Sequence, residues 1–91
     1  MAIGVYFAPE SVNTQQYDES MKQLEAAGAG NPKGRTYHSA FGPADHLMVF
    51  EVWDSQAEFE AFGATLMPIL TKVGIDPGQP QVMPIYNTIK G

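Results

Sequence analysis

The sequence predicts an α+β fold, a four-stranded antiparallel sheet with two helices on one face, in the order β-α-β-β-α-β. Three observations predict it. Four short runs rich in β-branched and aromatic residues alternate with two longer stretches whose apolar side chains recur at helical spacing. Each longer stretch opens on a capping pair, and glycine or proline punctuates most boundaries. A chain of 91 residues, 44% apolar and 16% charged, has the size and composition of one globular domain, residues 1–91, with one core.

Ile3 to Ala8 is short, apolar and β-branched or aromatic, and Pro9 ends it; this is the first strand. Asn13 offers an N-cap with Gln16 three residues on, and Tyr17, Met21 and Leu24 form one stripe of the helix that follows. Gly28-Ala29-Gly30-Asn31-Pro32 breaks that helix. Arg35 to Phe41 and His46 to Trp53 read as two strands of a hairpin around Gly42-Pro43-Ala44-Asp45. Ser55 and Glu58 have the S-x-x-E capping spacing and start the second helix, whose stripe is Phe59, Phe62, Leu66, Ile69, Leu70 and Val73. Pro68 falls inside it, where it removes a backbone donor and is expected to kink the helix. Gly74 followed by Ile75 has the form of a Schellman ending. Gln81 to Ile89 is the last strand, and Pro84 confines it to a sheet edge.

Right-handed crossovers turn this order into a sheet of order 4-1-3-2, a ferredoxin-like sandwich. Alternation divides the strands into two sets. One holds Ile3, Val5, Phe7, Tyr37, Phe41, Met48, Phe50 and Val52; the other holds Tyr6, Ala8, His38, Ala40, Leu47, Val49 and Trp53, with Thr36 and Glu51 as polar members. Both sets are mostly apolar, so the face away from the helices should be covered. A homodimer that packs sheet on sheet covers it; the alternative is a monomer that presents the face to another protein.

Composition excludes several classes. Ten acids against five bases give a formal charge of −5, the wrong sign for a nucleic-acid footprint. With no cysteine there is no disulfide, thiolate nucleophile or Cys-based zinc site. No stretch approaches the ~18 apolar residues of a membrane span, and the first residues lack a basic n-region, so a soluble cytoplasmic protein is expected. No metal site is expected, since His38 and His46 lie on opposite parities of the hairpin and His38 with Glu51 supplies only two ligands. Phosphate loops and serine-nucleophile elbows are absent.

Three stretches resemble the dimeric α/β-barrel superfamily, in the branch around antibiotic-biosynthesis monooxygenases. They are Glu51-Val52-Trp53-Asp54-Ser55 running into Ala57-Glu58-Phe59, Leu66-Met67-Pro68-Ile69-Leu70 with Gly74 after it, and Pro80-Gln81-Val82-Met83-Pro84-Ile85-Tyr86-Asn87. The resemblance implies the fold and a sheet-to-sheet dimer over the whole chain. Haem-degrading members of that superfamily use an Asn on strand one, a Trp near the end of strand three and a His on helix two. Trp53 fits the second of these, but strand one has no Asn and no His follows His46, so no cofactor is expected. Quinol-oxidising members tend to carry a His on the second helix, where this chain has Phe62 and Gly63.

The family pocket lies between sheet and helices, and by that analogy His38, Glu51 and Trp53 are assigned to the helix side. Pairing Phe41 with His46 and Thr36 with Glu51 places His38 diagonal to Glu51, within side-chain reach. A carboxylate under helices needs a partner. His38 and Glu51 are therefore the acid/base candidates, able to take a proton from a phenolic or enolic substrate before dioxygen reacts. The same pair is also compatible with a satisfied polar contact in the core. Trp53, Tyr6, Phe62 and Leu66 are the expected walls of a pocket for a small apolar or aromatic molecule. Two functions follow: a cofactor-independent monooxygenase-like enzyme on an aromatic or polyketide-like substrate, or a non-enzymatic ligand-binding or assembly protein.

Overall fold

The structure, a computed structural model, describes residues 1–91. Its elements are β1 (Ile3–Phe7), α1 (Thr14–Ala26), β2 (Arg35–Phe41), β3 (Met48–Trp53), α2 (Gln56–Val73) and β4 (Gln81–Pro84). The strands form one sheet of order β2-β3-β1-β4 with every neighbour antiparallel, which is the expected 4-1-3-2 order read from the other edge. No helix is long and apolar enough to cross a membrane.

Local chemistry accounts for the boundaries. Asn13 closes a complete capping box: its side chain accepts from the Gln16 N–H at 2.8 Å, and Gln16 Oε1 accepts from the Asn13 N–H at 3.1 Å. At α2 the Ser55 hydroxyl accepts from the Glu58 N–H at 3.2 Å, while the Glu58 carboxylate accepts from the same hydroxyl at 3.0 Å. The second cap therefore lacks the backbone half of the box that its S-x-x-E spacing suggests. Gly74 ends α2 in the left-handed region at φ 84°, and the Ile75 N–H reaches back to the Leu70 carbonyl at 2.8 Å. Pro68 lies within α2, which continues through it.

β4 is shorter than the sequence suggests. It stops at Pro84, which has no N–H for a ladder, and only the Ile85 N–H to the Ala2 carbonyl, at 3.0 Å, extends the pairing. The β2–β3 register also differs from the expected one. Phe41 faces Met48, not His46, and His38 faces Glu51 directly, because the connection spans Gly42–Leu47.

The division of faces changes for β1. Val5 pairs with Glu51, and Ile3 with Trp53, so Ile3, Val5 and Phe7 lie on the helix side while Gly4 and Tyr6 lie on the open side. Residues directly opposite in a ladder share a face, and that relation depends on register, which alternation within one strand does not supply. The open face carries Tyr6 stacked on Phe41 (centroids 6.4 Å apart) and Tyr37 against Phe50 (6.3 Å). Tyr37, Phe41 and Met83 are exposed there.

The core between sheet and helices forms two clusters. Ile3, Val5, Leu24, Trp53 and Phe62 make one; Val12, Leu47, Leu70 and Ile75 make the other. Leu66 packs against both. The seam between them is where the candidate site lies.

Candidate functional site

A partly open cavity of about 80 Å³ occupies this seam. Most of its lining is hydrophobic, including Met21, Leu24, Phe62 and Leu66. Its polar residues come from three elements: Tyr17 and Ser20 on α1, Arg35 and His38 on β2, and Glu51 on β3. An apolar cleft with a few convergent polar groups is the usual form of a small-molecule site.

Glu51 organises the polar side. Its side chain is 5% exposed, and both oxygens are engaged. Oε1 accepts from the Trp53 indole N–H at 2.9 Å, two residues along the same strand and on the same face. Oε2 lies 2.6 Å from His38 Nδ1, directly across the ladder. Arg35 Nη1 lies 3.6 Å from Oε2, an electrostatic contact beyond hydrogen-bond range, while Arg35 Nη2 donates to the Gly30 carbonyl at 3.1 Å. The Arg35 guanidinium also stands 5.9 Å from the centre of the Phe62 ring. No buried side-chain nitrogen or oxygen lacks a partner.

The chain of contacts continues outward. His38 Nε2 is 2.7 Å from the Tyr17 hydroxyl. A carboxylate only accepts, so the contact to Glu51 assigns the ring proton to Nδ1 and leaves Nε2 of the neutral ring as an acceptor for the Tyr17 O–H. Burial pushes the Tyr17 phenol above its ordinary value; the Arg35 charge opposes this shift, and Glu51 and Asp18 add to it. Tyr17 is therefore a neutral phenol at physiological pH. The Ser20 hydroxyl donates to the Tyr17 carbonyl at 2.7 Å and belongs to the helix backbone's own bonding.

The structure brings together His38, Glu51, Phe62 and Leu66 at the cavity. Trp53 stands behind it: fully buried, packed at 5.5 Å on Phe62 and 5.7 Å on Phe59, it touches Glu51 and does not line the cleft. Tyr6 lies away from the cavity, contrary to the expectation from sequence. Its position opposite Phe50 puts it on the open sheet face, with its hydroxyl 3.2 Å from the Met48 sulfur, so it cannot be a wall of this pocket.

Two polar residues of the site are not among those the sequence singles out as its acid/base pair or its walls. Tyr17 stands in the apolar stripe of α1 and looks like core until its hydroxyl is placed on His38. Arg35 is turned to the helix side by a β-bulge: Arg35 pairs with Trp53 and Tyr37 with Val52, leaving Thr36 as the extra residue. Strict alternation puts Thr36 on the Glu51 face, and nothing in the local sequence marks the insertion. Gly34, at φ 91° just before the bulge, is the nearest signal of irregular backbone.

No group of three or more His, Cys, Asp or Glu side chains converges in a way that could hold a metal ion. No family model matches the chain, and no curated protein is similar to it in sequence. Solved structures are similar over almost its whole length. An antibiotic biosynthesis monooxygenase, so assigned provisionally, from Chloroflexus aurantiacus J-10-fl superposes with a TM-score of 0.68 at 13% identity, over 99% of this chain and 98% of that one. SnoaB, a cofactor-independent oxygenase from Streptomyces nogalater, gives 0.61 at 11% identity over 99% and 95%. A Caulobacter crescentus CB15 protein with the same provisional assignment gives 0.59 at 19% identity over 90% and 85%. At these identities the likeness establishes the fold: this chain has the ferredoxin-like architecture of the antibiotic-biosynthesis-monooxygenase-like proteins.

The site makes two predictions of its own. Glu51→Leu leaves the buried Trp53 N–H without an acceptor and is expected to cost about 1–3 kcal/mol, read as a lower urea midpoint; Glu51→Gln keeps an acceptor and costs less. The second concerns alkali. A phenol whose folded value is raised favours the folded state less as pH climbs past the unfolded value, since only the unfolded chain then sheds its proton. Stability should therefore fall above the ordinary phenol range, and Tyr17→Phe should flatten that fall in paired thermal melts across alkaline pH.

Proposed function

We propose that the chain is a small-molecule-binding homodimer that acts as a cofactor-independent, monooxygenase-like enzyme on an aromatic or polyketide-like substrate. The observation that carries this reading is the hydrogen-bonded sequence Glu51–His38–Tyr17, which leads from the core to the wall of an apolar cleft. His38 is the base, Glu51 fixes its tautomer and balances the imidazolium that forms, and the Tyr17 hydroxyl lies at the cleft end of the relay. Phe62 and Leu66 form the apolar wall, and Trp53 acts by holding Glu51. That SnoaB is a cofactor-independent oxygenase on the same fold supports chemistry without a bound group.

The chemistry is proton removal followed by reaction with dioxygen. Loss of a proton from an enol or phenol makes an electron-rich anion that dioxygen itself oxidises. For a methylene compound of the anthrone type, one oxygen atom replaces the two hydrogens as a carbonyl, and the other leaves with them as water. The cavity of about 80 Å³ is smaller than the ~150 Å³ of an apolar cavity that admits benzene. The reacting edge therefore enters while the rest of the molecule stays at the mouth, and Met21 is the wall residue best able to yield. The dimer reading rests on the open sheet face, where the large apolar side chains Tyr37, Phe41 and Met83 are 53%, 43% and 58% exposed, a patch that a sheet-to-sheet contact would cover.

Oxygen uptake with a panel of quinols and anthrones tests the enzyme. Turnover is expected in the wild type and about 10²- to 10⁴-fold less in His38→Ala and Glu51→Gln, with the variants still folded. No uptake across the panel would leave the binding or assembly function in its place. Sedimentation tests the dimer: the wild type is expected at twice the chain mass, and Tyr37→Glu with Phe41→Glu at the monomer mass.

A further inference from the structure

We propose that the cavity holds its ligand as an oxyanion, the phenolate or enolate of a small planar molecule, with Arg35 as the counter-charge. This deepens the function proposed above and rests on the same cleft, but on Arg35 and not on turnover. Arg35 is a poor fit to a purely structural role. Its guanidinium has five N–H donors, and one bond to the Gly30 carbonyl is the only hydrogen bond it makes. Glu51 Oε1 is taken by Trp53, and Oε2 is taken at 2.6 Å by His38, so the Arg35 head stands by at 3.6 Å. The side chain remains 14% exposed and lines the cleft. The bulge at Thr36 aims it there, a use of bulges that recurs beside functional sites.

Charge balance defines the ligand. The ionisable groups facing the cleft are Tyr17 from α1, Arg35 and His38 from β2, and Glu51 from β3; α2 contributes only the apolar Phe62, Leu66 and Leu70, and Asp18 acts on Tyr17 from its flank. With His38 neutral, Arg35 and Glu51 cancel. When a ligand O–H bond breaks, its proton goes to the Tyr17 oxygen as Tyr17 passes its own to His38 Nε2. The site then holds an oxyanion, an imidazolium, Glu51 and Arg35, and its net charge is unchanged. The imidazolium already touches Glu51, which leaves Arg35 as the partner for the oxyanion. Electrostatic stabilisation of this kind is worth most where water is excluded. A ligand that lacks an acidic hydroxyl gains nothing from Arg35.

The probe is para-nitrophenol, whose phenolate is yellow and whose phenol is not, with its methyl ether para-nitroanisole as the form that cannot ionise. The absorbance of bound nitrophenol is followed against pH. The midpoint is expected to fall by about one pH unit, meaning that the phenolate is held about tenfold more tightly than the phenol. Arg35→Gln should abolish the shift and Arg35→Lys should keep part of it, while nitroanisole affinity changes by less than about twofold in both. Should Arg35→Gln not fold, Arg35→Lys and the wild-type comparison of the two probes still decide. Absence of nitrophenol binding, an unchanged or raised midpoint, or an equal shift in Arg35→Gln would each overturn the anion site. A lowered midpoint without oxygen uptake would remove the oxygenase and keep the anion site; uptake without a shift would do the reverse.

Discussion

Burying the Glu51 carboxylate is the constraint on which the rest of the site depends. A central-strand carboxylate beneath two helices loses its water, and the loss is tolerable only if donors replace it. Trp53 and His38 donate to its two oxygens, and Arg35 supplies a nearby positive charge. Each of these partners has a second task. Trp53 fills the space against Phe59 and Phe62, His38 reaches Tyr17 on α1, and Arg35 ties β2 to the loop at Gly30. The polar chain therefore joins sheet to helix at the seam where the apolar core divides into two clusters.

Much of the fold was legible because short-range chemistry dictates it. The Asn13 box, the Ser55 cap, the Gly74 ending and the edge position of Pro84 all follow from groups within a few residues of one another. Register was harder to read. The hairpin connection is longer than the glycine-proline pair around residue 42 suggests, and the error carried His38 to a diagonal position when it stands directly across from Glu51. Alternation holds within β1 and within β3, but which face of β1 matches which face of β3 depends on register, and Tyr6 lies on the other face from the expected one for that reason.

The site was legible in its centre and not at its edges. Glu51 and His38 can be paired from sequence because a buried carboxylate demands a partner and the opposite strand offers one. Tyr17 could not be read that way, since a tyrosine in a helical apolar stripe carries no sign of where its hydroxyl will end. Arg35 was hidden by a single extra residue. Period-two counting fails at a bulge by construction, and the side chains on one side of it exchange faces.

A buried polar pair is by itself weak evidence of function, because well-packed hydrophobic residues of the same volume are often as stable. The arrangement here differs from a closed structural pair in two respects. A closed pair consumes its donors and acceptors internally, whereas this chain runs outward through His38 to a hydroxyl on the cleft wall. The neighbouring guanidinium also keeps most of its donors uncommitted. The modest size of the cavity bears on the same question. A space of about 80 Å³ suits the head of a ligand better than its body. On the proposed anion site, polar groups gathered at one such point would recognise a single acidic oxygen, and the surrounding Leu66, Met21 and Phe62 would accept the apolar frame that carries it. Selectivity would then come from the ionisable group, and breadth from the frame.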